Sequence, residues 1–244
     1  MNLCNFAGNS VLEANLRQFL GLFGEVKVIC SLRHQVPFLE SWYRFRVWWS
    51  RSGETRDFPA YLVSKQGEAY LDYQNIERFF RSIWPDIDFE FVSFAEACKT
   101  GLLVKHFYEK AGILDCYAGE VKTNESLSRA GTLACLIWNR GLLPGTLSRQ
   151  MFLKWLSQTF PDRRESLYDT ALLEEVAAKF ACRNSELALH TGFDLNDELA
   201  EFENKQTLAG SILSTEFQQL VNAFHPRKKI SIFKSMMDLL PFRS

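Results

Sequence analysis

The sequence predicts an α/β fold, and three observations carry the prediction. Residues 25–49, EVKVICSLRHQVPFLESWYRFRVWW, read as a buried strand, a sharp turn and an aromatic helix, which is half of a βαβ unit. A second strand is expected at Phe89–Val92, entered through the polar turn of WPDID. Several further stretches, among them Ser10 to Leu22, Asp72 to Trp84 and Asp169 to Phe180, read as helices.

The elements follow in order. LCNFAG (3–8) is a candidate short strand beside the central one. Ser10 is placed to cap a helix running to about Leu22, with Leu12, Leu16, Phe19 and Leu20 on one face. In the central strand, Val26, Val28, Ile29 and Cys30 form a short run with β-branched residues, which favours a strand over a helix. Pro37 fixes a φ suited to the first turn of a helix. Phe38, Leu39, Trp42, Phe45 and Trp49 then recur at helical spacing. SRSGETRDF (50–58) is a polar loop, Pro59 to Lys65 a short helix and Asp72 to Trp84 a stronger one. After the second strand a helix runs from Gly101 and Leu102 through Lys110, with Gly112 just past its last turn. Residues 114–123 read as a loop or edge hairpin. Asn124 or Ser126 is placed to cap a helix that buries Leu127, Leu133, Leu136 and Ile137. Residues 141–166 hold Gly141, Pro144, Gly145 and Pro161 around a short helix, and Asp169 to Phe180 is strongly helical. From Asp194 the chain is acidic, then reaches the basic patch His225–Lys229 and the amphipathic end IFKSMMDLLPF. That patch suits an anionic glycan, a membrane surface or plain solvation.

Composition sets the class. A chain of 244 residues with 47% hydrophobic and 23% charged residues is of ordinary globular make-up and long enough to bury a core. A net charge of −1 offers no global field for nucleic acid. No apolar run is long enough to span a bilayer, so no integral membrane segment is expected. MNLCNFAGNS lacks the basic start and apolar stretch of a secretory leader, and six scattered cysteines without a CxxC read as reduced thiols. Together these predict a cytoplasmic location.

The chemistry concentrates after the first strand. Ligands of open α/β sheets bind outside the carboxyl ends of the strands, where Arg33 stands. A guanidinium is a planar fork of donors that matches a phosphate. Ser41, on the first turns of the helix, adds a hydroxyl near a helix start, where free backbone N–H groups favour anions. The alternative is that Arg33 is a solvated loop arginine and Ser41 a small residue at a packing contact. His34, beside Arg33, is either an acid or base facing a ligand or a loop histidine without a role.

These residues resemble something known. LRHQVPFLESWY (32–43) is similar to the 3′-phosphate-binding segment of sulfotransferases that use 3′-phosphoadenosine 5′-phosphosulfate. In that family a strand ends in an Arg, and a Ser follows eight positions later on a helix, usually with an aromatic residue two beyond. Arg33, Ser41 and Tyr43 match that pattern. LDYQNIERFF (71–80), IDFEFVSFAEA (87–97), TNESLSRAG (123–131) and CRNSELALHTGF (182–193) look like its bacterial carbohydrate-sulfotransferase branch, so the resemblance covers most of residues 10–193.

The resemblance implies a small parallel sheet flanked by helices, of the P-loop sulfotransferase kind but incomplete, with a mainly helical C-terminal half. Residues 1–193 would form the sulfotransferase-like domain and 194–244 a helical appendage. It implies 3′-phosphoadenosine 5′-phosphosulfate as sulfuryl donor, held by Arg33 and Ser41, and a cell-surface or capsular carbohydrate as acceptor. Asn124 and Ser126 fall where the branch opens a helix near the nucleotide. The chain departs from the family upstream of Arg33. The 32 residues there contain no Gly-rich, Lys-bearing loop for the 5′-phosphosulfate, so either the chain is a piece of a longer protein or the transfer chemistry has been lost.

Two other classes stay open. One is a non-catalytic remnant of the fold that binds a partner. The other is a metal-dependent glycosyltransferase using the DxD of Asp86 and Asp88, whose carboxylates suit a hard divalent cation, although the same residues also suit a polar turn.

Overall fold

A computed structural model describes residues 10–49, 53–65, 69–99, 103–117, 119, 127–141, 149, 152–154, 156 and 165–205. The expected elements at 3–8, Asn124 and Ser126, and the basic patch at 225–229 lie outside the described residues. Helix α1 (Ser10–Leu20) leads to strand β1 (Lys27–Leu32) and helix α2 (Gln35–Trp48). Helices α3 (Phe58–Lys65) and α4 (Tyr73–Ile83) precede strand β2 (Asp88–Ser93), which runs straight into α5 (Phe94–Lys99). The rest is α6 (Leu103–Lys110), α7 (Arg129–Asn139), α8 (Thr170–Thr191) and α9 (Leu195–Lys205). β1 and β2 pair in parallel, in register from Lys27 opposite Asp88 to Leu32 opposite Ser93. The described chain is thus mostly helical with a two-stranded parallel sheet, which meets the α/β expectation in its coarse form. No helix among the described residues is long and apolar enough to cross a membrane.

At α4 and α6 the local reasons are those of the sequence, while α7 and α8 are exceptions. Asp72 caps α4 by accepting from the Asn75 N–H, and Trp84 closes it with a bond from its N–H to the Phe80 carbonyl. The last turn of α6 closes as a Schellman motif: Gly112, at φ +71°, donates to Glu109 and Ile113 donates to Tyr108. The first exception is α7, whose cap is the Ser128 side chain accepting from the Gly131 N–H. The second is α8, which does not stop near Phe180 but runs 22 residues to Thr191. Its polar run stays helical because Cys182, Arg183, Ser185 and Glu186 face solvent while Asn184 and Leu187 are buried.

The residues divide into two compact units. The first is Met1–Phe38, Leu62–Asn124 and Leu173–Phe202; the second is Leu39–Tyr61, Glu125–Leu172 and Glu203–Ser244. In the first, Leu32, Tyr73, Leu187 and Leu195 form a core, with Cys30, Ile76, Phe91 and Phe193 packed against it. Cys30 and Leu32, two apart on β1, therefore share its core face. In the second, Tyr43, Phe58, Tyr61 and Tyr168 pack as tilted and edge-on pairs with ring centroids 4.8 to 5.1 Å apart. Beside them Glu40 and Arg44 form a buried ion pair on α2. Arg44 also donates to the Leu127 and Glu165 carbonyls, while Glu40 accepts from the Ser166 hydroxyl at 2.7 Å and the Leu167 N–H at 3.2 Å.

Candidate functional site

The chain leaves β1 at Leu32, and one carboxylate holds both of the next two residues. The Arg33 Nε donates to Glu198 Oε1 at 3.2 Å, and its guanidinium lies 5.1 Å over the Phe94 ring. Its carbonyl accepts from the Tyr73 hydroxyl, which fixes the backbone where the strand ends. The His34 N–H donates to Glu198 Oε2 at 2.6 Å. One carboxylate, on α9, thus bridges a guanidinium and a backbone N–H at the N-terminus of α2. This is the donor set that an oxyanion takes at a strand-to-helix turn. Burial raises the Glu198 carboxyl above the usual carboxylate range, and the His34 N–H and Arg33 oppose that rise.

His34 itself is fully buried. Its Nδ1 accepts from the Val36 N–H at 3.1 Å, so the imidazole caps its own helix. That bond puts the remaining hydrogen on Nε2, which has no hydrogen-bond partner among the described residues. Burial holds the ring neutral, with its pKa lowered to about 4 against a weak opposing pull from Asp194. His34 therefore serves the helix start rather than facing a ligand as acid or base. Next to it, Gln35 and Asn184 exchange two side-chain amide bonds of 3.0 Å each, and Gln35 also donates to the Leu71 carbonyl at 3.2 Å.

The other expected residues fall as follows. Ser41 lies on the second turn of α2, in the second unit, and is half-buried. Tyr43, which completes the aromatic part of the pattern, is a core residue whose hydroxyl donates to the Arg56 carbonyl at 2.8 Å. Asp86 is exposed in the turn before β2, and Asp88 pairs with Lys27 at 3.5 Å. Among the described residues no group of three potential metal-binding side chains comes together.

Sequence reasoning missed Glu198. It lies 165 residues from Arg33, in a stretch marked in the sequence only by its acidity. It also missed an open cleft of about 520 Å³ along β2, whose lining includes Phe89, Phe91, His106, Lys110, His190 and Phe193. Glu90 in that lining is held below the usual carboxylate range by Lys110, at 2.6 Å, and by Lys27, at 2.9 Å. Comparison with known proteins adds no family: no family model, curated protein or solved structure matches the chain.

Proposed function

We propose that the chain is a sulfotransferase-like protein. In this reading Arg33 and Ser41 hold the 3′-phosphate end of 3′-phosphoadenosine 5′-phosphosulfate, and the sulfuryl group passes to a carbohydrate hydroxyl. The observation that carries it is the oxyanion geometry after β1. An arginine at the carboxyl end of a parallel strand and the backbone N–H of His34, just before the following helix, together already hold a carboxylate. A phosphate oxygen satisfies the same donors. The cleft along β2 supports the acceptor class. It combines aromatic side chains with charged and imidazole hydrogen-bonding groups, many of the charges already paired, as suits a neutral polyhydroxyl ligand.

The second reading is a non-catalytic, partner-binding module on this scaffold. The occupation of Arg33 by Glu198 favours it, since a protein residue already satisfies the donors that a nucleotide needs.

Calorimetric titration with adenosine 3′,5′-bisphosphate decides between them. The expected result is saturable binding that disappears in Arg33→Ala, with the variant's far-UV circular dichroism unchanged. No saturation up to about 1 mM nucleotide, in either the folded wild type or a folded Glu198→Ala variant, overturns the nucleotide reading and leaves the module reading in its place.

A further inference from the structure

We infer that Glu198 is a built-in competitor for the anion site of Arg33 and the His34 N–H, and that a phosphate enters only when helix α9 releases it. The inference rests on the reading of that site as the nucleotide's 3′-phosphate pocket.

The geometry is that of a ligand mimic. The two oxygens of one carboxylate divide between two donors, Oε1 to the Arg33 Nε at 3.2 Å and Oε2 to the His34 N–H at 2.6 Å. The Glu198 side chain is 12% exposed and that of Arg33 is 30% exposed, so the carboxylate is drawn in while the guanidinium still reaches solvent. A carboxylate and a phosphate compete for these donors because both are oxyanions that accept charge-assisted bonds. The Glu198 helix is anchored next to the site by Leu195, which is buried in the core with Leu32 and Leu187. Lys99 on α5 grips the same helix further along through Glu201 at 2.9 Å. These contacts fix where Glu198 starts and, once it is displaced, hold α9 close enough for it to return.

The contact carries the desolvation cost of a partly buried ion pair. Glu198 is largely removed from water, and its carboxyl is shifted against ionisation despite two partners. A charge held under that penalty is poised for exchange with a better oxyanion, one carrying more negative charge and more acceptor oxygens.

The test is calorimetric titration of adenosine 3′,5′-bisphosphate into the full chain as wild type, Glu198→Ala, Glu198→Gln and Arg33→Ala. Glu198→Gln keeps the side-chain size and an acceptor for the His34 N–H, so it reports on charge even if the alanine variant is poorly folded. The expected result is affinity raised about ten-fold in both Glu198 variants and lost in Arg33→Ala. Equal affinity in wild type and both Glu198 variants, with loss in Arg33→Ala, overturns the competitor and leaves the nucleotide pocket standing. Weaker binding in the Glu198 variants overturns it as well, by showing that Glu198 supports the site. Absence of binding in every variant overturns the pocket and the competitor together.

Discussion

At the scale of single residues, burial decides what each polar group does. His34 is neutral in the fold because its ring is out of water and its Nδ1 accepts from the Val36 N–H. Its pKa falls from 6.5 to about 4, so the unfolded chain takes up the proton first as pH drops. The stability it contributes is complete above pH 6.5 and is lost as pH falls through 4, a span of about 3 kcal/mol. Urea denaturation across that range, on wild type and His34→Asn, checks this. Asn keeps a capping oxygen but does not titrate, so its curve should lose that part of the slope. The Glu40–Arg44 pair obeys a different balance. Arg44→Ala leaves a buried carboxylate and the Leu127 and Glu165 carbonyls without their donor, and should cost about 3–5 kcal/mol in the same assay.

At the scale of elements, the chain is legible where a local signal and a periodic pattern agree. Helix α4 was readable at both ends because Asp72 offers a capping oxygen and the apolar period stops at Trp84. β1 was readable from its β-branched run, although the charged Lys27 sits in the strand and pairs across it with Asp88. The six-residue α5 was not readable, because one and a half turns carry too few residues for a period. Its start is set instead by Ser93, whose hydroxyl accepts from the Glu96 N–H at 3.2 Å. The Schellman end of α6 gives a clean test. A Cβ on Gly112 meets nothing within 4 Å, so Gly112→Ala carries only the backbone penalty of its positive φ. That penalty should be about 1 kcal/mol, read as a shift in the urea midpoint. Asp72→Ala should cost a similar amount, about 1 kcal/mol, by removing the cap of α4.

At the scale of the whole molecule, the candidate site was half legible. Arg33 could be placed because a strand followed by a Pro-bearing helix start puts the intervening residue at a sheet edge. Glu198 could not be placed, since no period or spacing links positions 165 residues apart and only the folded chain brings them together. The same holds for Asn184 opposite Gln35, 149 residues away. Each unit is drawn from three separate stretches of chain, and α2 supplies its first turn to one and its remainder to the other.

The paired carboxamides of Gln35 and Asn184 have a spectroscopic consequence. Both side chains are 1% exposed, and three of their four amide hydrogens are committed to carbonyl partners. In deuterated buffer those hydrogens should survive long after surface carboxamides have exchanged, leaving isolated cross-peaks in a nitrogen-edited NMR spectrum. They form an intrinsic clock, needing no attached dye, whose decay times the opening of the helix start that follows Arg33.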